Sequence, residues 1–480
     1  MKTIVIESIW PKPHLETAGE IVLNLKKNGN NVSFAWIGSD IFWHEWRISK
    51  FFKFFGSDPQ KRIDNFIKIL KQNKINIIET KDVYNTSLIE DWALKFKGNI
   101  NDLKKYKYKN MPLGMGVASS LITFYNNKRP NLKSIIVKVR ELLCTSALVY
   151  EKSINIILEH KPNRIITFNN RFASSLPIIL AAKQKKIEIF RHERGSSYDR
   201  YFLFKFDIND PRNFTNINKD WIKSKNKNKI KIANNFFKKK INKSFRDEVN
   251  KNFTINQIKN FLPRLPTGKK IVTYYTSTEY EQEAYINLKY KQFEVFKTFY
   301  EHLKKFKNIH LVIRVHPSLS KKNDQNWKIF KNKDVTIVSS TSKVDTYALM
   351  KKSHVVCGYS SRIVLESAYL NIPTISFKYM GWPKKLGILY GEKKNLIKTN
   401  LQKALKNKVK FNKEQILAVS YFYSTYGIKY KYYKSVSINK GKFLGSNLEW
   451  KSKILKILEK TELKKFYFKV RNLYNQTITS

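Results

Sequence analysis

The chain has 480 residues, enough for two domains that each bury a sizeable core. Hydrophobic residues make up 42% and aromatic residues 14% of it, which excludes an intrinsically disordered protein. Lysine and arginine number 92 against 37 aspartates and glutamates, so the formal net charge is +55 and favours an anionic partner: nucleic acid, anionic lipid or a phosphorylated substrate. A general bias towards Lys, Asn and Ile, with lysines spread along the chain, explains the same charge.

Cysteines and apolar runs bear on the compartment. Only Cys144 and Cys357 occur, far apart, which predicts neither a disulfide framework nor a zinc site and indicates a reducing compartment. The stretch Met1–Trp10 lacks the features of a signal peptide. No uninterrupted apolar run approaches the roughly 18 residues that cross a bilayer. We expect a cytoplasmic protein whose membrane contact is peripheral, at the inner face of the inner membrane.

Hydrophobic periodicity predicts a βαβ unit at the start of the chain. It comprises strand Thr3–Glu7, a helix containing Ala18, Ile21, Val22 and Leu25, and strand Val32–Ile37. Thr17 is positioned to cap this helix and Gly29 to end it. Such a unit begins a parallel, doubly wound sheet, whose ligand crevice lies at the carboxyl ends of the strands. The loop 8–16 is expected at that crevice.

A second α/β unit follows a region that is harder to interpret. Helices are predicted at 60–73 and 134–159, then strand 164–168, helix 173–185 and strand 187–190. The loops after these two strands carry Asn169, Asn170 and Arg171, and then His192, Glu193, Arg194 and Gly195. Residues 212–252 are dominated by Lys and Asn, which predicts solvated helices or a surface insertion.

A turn-rich stretch at 263–268 predicts a linker between two lobes, 1–262 and 269–405. In the second lobe we predict strands at 271–275, 310–315, 335–338, 355–357 and 374–377 and helices at 291–306, 345–351 and 363–369. The tail, 406–480, is predicted to be helical and to pack back on the first lobe.

The ends of two predicted strands in the second lobe carry the strongest local signal. Arg314, His316 and Pro317 end one strand, and Ser360, Ser361 and Glu366 follow another. Because loops after parallel strands converge, an imidazole, hydroxyls and the amides of a helix amino terminus are expected to meet there and to suit a phosphate or diphosphate. Taken singly, each is better explained by a helix cap, a turn or a solvated helix face, but their combination at this spacing favours the phosphate site.

The run 309–377 resembles the carboxyl-terminal half of capsule polysaccharide biosynthesis proteins and related Kdo and sialic acid transferases. The shared pattern is His316-Pro317, the hydroxyl loop Ser360-Ser361, Glu366 on the next helix, and the turn Asn371-Ile372-Pro373. The resemblance implies an α/β GT-B fold, with two Rossmann-like doubly wound lobes facing a cleft. It also implies that His316, Ser360 and Ser361 hold the nucleotide phosphate of the donor, together with Arg314 and Pro317, and that Glu366 contacts the ribose or base.

The segment 192–195 resembles the acidic motif that supplies the general base in such transferases. Glu193 is therefore the candidate base, and an ordinary salt-bridged carboxylate is the alternative. His192 and Arg194 beside it would keep it ionised. Further candidates for acceptor or crevice contacts are His14, Glu16, Thr17, Asn169, Asn170 and Arg171. For Thr17, the helix cap is an equally good explanation.

The resemblance covers residues 160–200 and 269–380, and it has departures. No second carboxylate precedes Glu193, and no residue identifies the base of the donor, so a CMP-sugar is one of several candidates. The sequence has neither an Asp-x-Asp motif nor a His/Cys cluster, so we expect metal-independent transfer without a cofactor.

The resemblance implies an enzyme that moves a sugar from a nucleotide-activated donor to a capsule or surface polysaccharide, on a saccharide or lipid-linked acceptor. A polyol-phosphate transferase of the teichoic-acid type is the alternative within the same fold. A nucleic-acid-binding protein and a non-catalytic assembly partner are the readings outside it, and no specific nucleic acid is expected. The sugar, the linkage, its stereochemistry and the oligomeric state stay open.

Overall fold

The computed structural model divides the chain into two compact units. The described residues are 1–38, 41, 58–80, 85–208, 210–242, 256–278, 291–319, 326–382, 384–449 and 451. The first unit holds the described residues up to Ile208 together with those from Gly427 onward, and the second holds those from Asp210 to Tyr426. Along the described residues, the chain therefore leaves the first unit after Ile208 and returns to it at Gly427.

The first unit is built on a mostly parallel sheet. Its strands, numbered along the whole chain, are β1 (Lys2–Glu7), β2 (Asn31–Trp36), β3 (Asn76–Ile78), β4 (Arg164–Phe168), β5 (Glu188–Arg194), β6 (Arg200–Phe204) and β13 (Ile428–Lys429). Their order is β3-β2-β1-β4-β5-β6-β13. Strands β1 to β5 are parallel, β6 pairs antiparallel with β5, and β13 pairs antiparallel with β6. Residues 3–7 are fully buried, as expected for a strand covered on both faces.

Helices cover both sides of this sheet. They are α1 (His14–Lys27), α2 (Pro59–Gln72), α3 (Thr86–Leu94), α4 (Ile100–Lys105), α5 (Gly114–Tyr125), α6 (Ile136–His160) and α7 (Leu176–Gln184), with a 3₁₀ turn at Lys133–Ile135. Phe66 of α2 meets Phe34 of β2 edge to face, with ring centroids 5.4 Å apart. Just beyond α1, Gly29 has φ 74°, the left-handed conformation that commonly ends a helix and that the sequence predicts there.

The second unit has a parallel sheet of its own. Its strands are β7 (Lys270–Tyr275), β8 (Ile309–Arg314), β9 (Val335–Val338), β10 (Val355–Gly358), β11 (Thr374–Ser376) and β12 (Leu389–Tyr390). They lie in the order β12-β11-β10-β7-β8-β9, all parallel. Tyr274, Phe296 and Phe377 are buried in one aromatic core beside it. The chain thus has an α/β fold with two Rossmann-like domains, which confirms the predicted fold class.

The Lys/Asn-rich stretch after residue 212 packs in the second unit, not in the first. The helices of the second unit are α8 (Ile217–Lys223), α9 (Lys229–Ile241), α10 (Gln292–Leu303), α11 (Thr346–Lys352), α12 (Ile363–Tyr369), α13 (Lys394–Leu405) and α14 (Lys413–Thr425), with 3₁₀ turns at Pro211–Phe214 and Lys384–Leu386. The first two of these helices lie in the Lys/Asn-rich stretch. Trp221 of α8 and Phe237 of α9 are buried in one cluster with Val419 of α14. Aromatic residues at helical spacing bury one face, while most of the lysines point outward.

The units also divide at a different place from the predicted linker. Residues 263–268 lie inside the second unit, where Leu262 and Leu265 pack against Ile271 and Val312. The two prolines there belong to an extended segment that leads into β7. The predicted lobe 1–262 is therefore corrected: the described residues from Asp210 to 262 belong to the second unit.

The predicted helical tail is wrong for residues 428–443. Beyond α14 the chain forms β13, β14 (Tyr433–Ser437) and β15 (Lys440–Phe443), and the last two pair as an antiparallel C-terminal hairpin, residues 433–443. Tyr433 and Phe443 face inward and Lys434 and Lys442 outward, which is the two-residue period of a strand. The predicted tail beyond 451 lies outside the described residues.

Helix α1 holds the C-terminal segment through buried carboxylates. Glu20, with no exposed surface, accepts hydrogen bonds from the backbone N–H groups of Lys431 at 2.7 Å, Tyr432 at 2.7 Å and Tyr433 at 3.0 Å. A carboxylate that receives several backbone N–H groups needs no cation beside it. The described segment from Gly427 onward is thereby fixed to the first sheet.

An ion pair one helical turn away completes this attachment. Glu16 pairs with Arg62 of α2 at 2.5 Å, and both side chains are buried. Arg62 also donates to the carbonyl oxygens of Trp10 at 2.9 Å and Leu448 at 2.6 Å. One guanidinium thus links α1, the loop after β1 and the end of the described tail.

Among the described helices, none combines the length and the apolar character needed to span a bilayer.

We expect Glu20→Ala to lower the unfolding midpoint of the first unit by about 6 °C or more, since three backbone N–H groups lose a charged acceptor, a cost of roughly 3 kcal/mol. Differential scanning calorimetry measures the midpoint, and hydrogen exchange should accelerate at 431–433. The control is Glu79→Ala, whose side chain is 84% exposed. Equal midpoints for the two variants would contradict the anchoring role of Glu20.

Candidate functional site

The candidate site of the first unit lies where the strand order reverses. Strands β1 and β4 are neighbours, and the chain leaves them towards opposite edges of the sheet. Such a switch point opens a crevice at the carboxyl ends of the two strands. Glu7 ends β1, Phe168 ends β4 and Arg194 ends the adjacent β5. The residues predicted from 169–171 and 192–194 are therefore brought to one edge.

A buried hydrogen bond between a histidine and a carboxylate forms the floor of this site. His192 Nε2 lies 2.5 Å from Glu7 Oε1, and neither side chain is exposed. Burial raises the pKa of Glu7, whereas the neighbouring His192 opposes that shift. His192 is thus committed to Glu7 inside the sheet, which corrects its predicted place in a loop. Glu7 itself was not predicted, although a carboxylate at the end of the first strand was a signal for it.

His14 lies above this pair at the start of α1. Its ring packs on Phe168 with centroids 4.1 Å apart, and Phe168 in turn lies 5.7 Å from the His192 ring. Burial first, and then the charges of Arg194 and His192, lower the pKa of His14 well below its ordinary value. The imidazole is therefore neutral at pH 7, in a state able to accept or donate a hydrogen bond.

Glu193 is the half-buried carboxylate of this edge. Its oxygens accept from Asn169 Nδ2 at 3.0 Å and from the backbone N–H of Arg194 at 3.0 Å. Asn169 has φ 48°, the left-handed conformation that asparagine tolerates, and this turns its amide towards Glu193. Strand β5 extends through Arg194 because β6 pairs with it, so the predicted loop at 192–194 is a strand.

Two further predicted acceptor residues, Asn170 and Arg171, follow strand β4. Arg171 Nη2 donates to Thr123 Oγ1 at 2.9 Å, and its guanidinium lies 4.6 Å from the Phe172 ring centroid. Asn170 is partly exposed beside it.

Glu16 and Thr17 do not lie at the acceptor surface, and both predictions are corrected. Glu16 is buried against Arg62, and Thr17 Oγ1 bonds the carbonyl of Pro13 at 2.8 Å and the Tyr430 hydroxyl at 2.7 Å. Thr17 sits within the first turn of α1, so it does not cap the helix either.

The candidate site of the second unit lies at the switch point between β7 and β10. Thr276 and Ser277 follow β7, His316 and Pro317 follow β8, and the hydroxyl loop follows β10. The backbone N–H of His316 donates to Thr276 Oγ1 at 2.9 Å. Thr276 was not predicted as a site residue, although two hydroxyl residues directly after a predicted strand were a signal for it.

The hydrogen bonds of His316 fix its tautomer. Its Nδ1 accepts from the backbone N–H of Ser318 at 3.2 Å, and the Ser318 hydroxyl lies 2.6 Å from the same atom. Burial and the charge of Arg314 lower the pKa of His316 to about 4. The ring is therefore neutral at pH 7 with its proton on Nε2.

The predicted hydroxyl loop turns sharply into helix α12. Ser360 has φ 91°, and its hydroxyl contacts Met380 Sδ at 3.1 Å. Ser361 Oγ accepts from the backbone N–H of Ile363 at 3.3 Å, one residue before the N-cap position of the helix, which Arg362 occupies. Arg314 is buried and donates to the carbonyl of Ser339, which places it beneath the strand ends.

Glu366 is held inside the second unit. Lys240 of α9 pairs with it at 2.5 Å, and the Tyr347 hydroxyl donates to its other oxygen at 3.0 Å. Only 4% of Glu366 is exposed, so a ribose would have to share a carboxylate that two partners already occupy. Lys240 was missed from sequence because it comes from the stretch that was predicted to be a surface insertion.

Among the residues that the structure describes, no group of three or more His, Cys, Asp or Glu side chains is arranged to hold a metal ion.

Sequence comparison matches the second unit to one family. The model of the UDP-N-acetylglucosamine 2-epimerase family matches residues 285–424, just under a third of the chain. A search of curated proteins gives no significant match.

Solved structures of nucleotide-sugar enzymes are similar in outline. The UDP-GlcNAc 2-epimerase of Neisseria meningitidis, bound to UDP-GlcNAc, is 12% identical, with coverage of 88% of this chain and 97% of that one and a TM-score of 0.31. KpsC of Thermosulfurimonas dismutans, a β-Kdo 2,7 transferase, is 14% identical, with coverage of 56% and 80% and a TM-score of 0.35. At these scores the matches carry no inference about activity.

The lowered pKa values of His14 and His316 give the protein an acid-sensitive stability. An unfolded histidine titrates near 6.5, so below that pH the unfolded chain binds protons that folded His14 and His316 do not. This contribution is complete above about pH 7 and is lost as the pH falls below about 6.5, for His316 towards its pKa of about 4. We expect the unfolding temperature to fall less in His14→Gln and in His316→Gln than in wild type as the pH is lowered through this range. Calorimetry at a series of pH values measures this.

The matched control is His160→Gln, at the end of α6. An identical pH dependence in wild type and in both variants would contradict neutral imidazoles at these positions.

Proposed function

We propose that this protein is a glycosyltransferase that moves a sugar from a nucleotide-activated donor to a saccharide acceptor during synthesis of a bacterial capsule or surface polysaccharide. The observation that carries this proposal is that the switch point of one unit holds a neutral imidazole and hydroxyl residues, while the switch point of the other holds a carboxylate. His316 supplies the donor side and Glu193 the acceptor side. The family match over residues 285–424 supports a nucleotide-sugar in the second unit.

In this proposal the second unit binds the donor phosphates. His316 donates through Nε2, and the hydroxyls of Thr276, Ser360 and Ser361 surround the same strand ends. Neutral donors in a partly buried pocket stabilise the negative charge that grows on the leaving phosphate. Glu366 with Lys240 and Tyr347 supports the pocket from beneath.

Glu193 acts as general base in the first unit. Its carboxylate takes the proton of an acceptor hydroxyl while that oxygen bonds to the anomeric carbon, and the bond from this carbon to the donor phosphate oxygen breaks. Asn169 and the N–H of Arg194 orient the carboxylate. In this proposal His14, neutral and packed on Phe168, holds a second hydroxyl of the acceptor, and Asn170 and Arg171 extend the same edge.

We also propose that the protein works in the cytoplasm, in peripheral contact with the anionic inner membrane that carries a lipid-linked acceptor. The large positive charge supports this placement.

The second candidate function is epimerisation of a nucleotide-sugar, which the matched family favours. An epimerase needs no acceptor. Incubation with UDP-N-acetylglucosamine alone, followed by chromatography of the sugar products, separates the two: a new epimer without acceptor indicates epimerisation, and transfer only in the presence of an acceptor saccharide indicates the transferase.

We expect one of CMP, UDP, GDP or CDP to raise the unfolding temperature, and His316→Ala and Ser361→Ala to abolish most of that rise. Loss of one charge-assisted hydrogen bond costs about 1.5–3 kcal/mol, or more than tenfold in affinity. A thermal-shift titration measures it. The matched control, Ser424→Ala on α14, loses only a bond to the Ser420 carbonyl and should respond as wild type does. No response to any nucleotide would contradict the donor site.

Glu193→Gln should lower the rate of transfer by about 10²- to 10⁴-fold, because the amide keeps the shape and the Arg194 N–H bond but cannot take a proton. Nucleotide binding, measured by thermal shift, should be unchanged. Radiolabelled transfer into polysaccharide is the assay. Unaltered transfer would remove Glu193 as the base and make His14 the next residue to test.

A further inference from the structure

The C-terminal hairpin reaches the candidate acceptor site at two points. Arg194 Nη2 donates to Asn439 Oδ1 at 3.2 Å, so the hairpin turn contacts the residue that follows Glu193 in the chain. Lys12 Nζ, in the loop between β1 and α1, donates to the carbonyl of Gly441 at 3.0 Å. The hairpin therefore touches both segments that flank the site.

The two faces of the hairpin differ in character. Tyr433 and Phe443 are cross-strand partners and are buried against the first sheet. Lys434 and Lys442 are cross-strand partners on the opposite face, and both are exposed. Lys440, two residues before Lys442, is exposed as well. The outer face is therefore a short cationic strip.

This arrangement is unfavourable without an anion. Like charges directly opposite each other destabilise a strand pair. No described acidic side chain forms an ion pair with Lys434, Lys440 or Lys442. An anionic ligand would relieve the repulsion and gain all three charges at once.

The hairpin is rigidly placed for such a role. Glu20 fixes the backbone of 431–433 just before it, and Arg62 fixes the carbonyl of Leu448 just after it. A preorganised surface binds with little loss of conformational entropy. Glu20 and Arg62 thus fix the position of the outer face without contacting it.

We propose that the outer face of the C-terminal hairpin, formed by Lys434, Lys440 and Lys442, binds the acceptor as a saccharide chain bearing carboxylate or phosphate groups. This inference rests on the proposed function and adds the chemical class of the acceptor. Arg194, which contacts the hairpin turn at Asn439, is the cation next to Glu193 in the sequence. Lysines are flexible point charges that tolerate a shift in register, which suits a repetitive polymer.

The test is binding of a galacturonate hexamer, with the neutral maltohexaose as its partner of equal length, by titration calorimetry at low salt. We expect the anionic oligomer to bind more tightly than the neutral one. The variant Lys434→Gln, Lys440→Gln, Lys442→Gln should lose about tenfold in affinity, since each exposed ion pair contributes a few-fold. Replacement of the same three residues by Arg should restore binding.

The matched control replaces three exposed lysines elsewhere in the first unit, Lys95, Lys97 and Lys133, with Gln, which gives the same change in net charge. It should bind as wild type does. An equal loss in the control and the hairpin variant, or equal binding of the two hexamers by wild type, would overturn the proposal. So would loss of binding to phosphatidylglycerol vesicles with unchanged hexamer binding, which would assign the strip to lipid.

Thermal shift with nucleotides on the same variants separates this inference from the proposed function. A hairpin variant that keeps its nucleotide response and loses the galacturonate hexamer supports the acceptor strip. A wild-type protein that binds the hexamer and no nucleotide would overturn the transferase while the anionic strip stands. A wild-type protein that binds nucleotide and neither hexamer would overturn the strip alone.

Discussion

The first unit depends on two carboxylates on the buried face of helix α1. Glu16 and Glu20 are four residues apart, so they lie one above the other on that face. Both are buried, and neither is left without donors: Arg62 serves Glu16, and the backbone of 431–433 serves Glu20. Removing one partner from such an arrangement leaves a buried charge uncompensated, which is strongly destabilising. The C-terminal segment is therefore part of the first unit and not an appendage to it.

The same physical constraint, parallel strands with diverging connections, places a candidate site in each unit. In the first sheet it places Glu7, His192 and Glu193 near the carboxyl ends of their strands, and in the second it places Thr276, His316 and Ser361 just after the ends of theirs. The two sites differ in electrostatics. A carboxylate faces solvent in the first, whereas the second offers a neutral imidazole and hydroxyls. This division suits a reaction in which one partner brings an anionic phosphate and the other gives up a proton.

Sequence reasoning succeeded where the information was local. Strand periodicity predicted β1, β4, β7, β8 and β10, and residues that follow a strand directly, such as His316, had to lie at its carboxyl end. It failed where a partner came from a distant segment. Glu16 was predicted as an acceptor residue, but Arg62 of α2 pairs with it. Glu366 was predicted as a ribose ligand, but Lys240 of α9 pairs with it. Strand β5 runs past its predicted end because β6 pairs with it, which no pattern in 188–194 reveals.

Net charge is a weak guide to partners because it has no position. Most of the 92 basic residues are spread along the chain and fit a compositional bias as well as they fit any ligand. Strand register removes that ambiguity for a few of them. In the C-terminal hairpin, strand pairing places Lys434 opposite Lys442 with both side chains exposed. Buried Glu20 accepts hydrogen bonds from the backbone N–H groups of residues 431–433 at the start of the hairpin. Repulsion that the fold enforces, and that nothing described around it neutralises, is a more specific sign of an anionic ligand than the total charge.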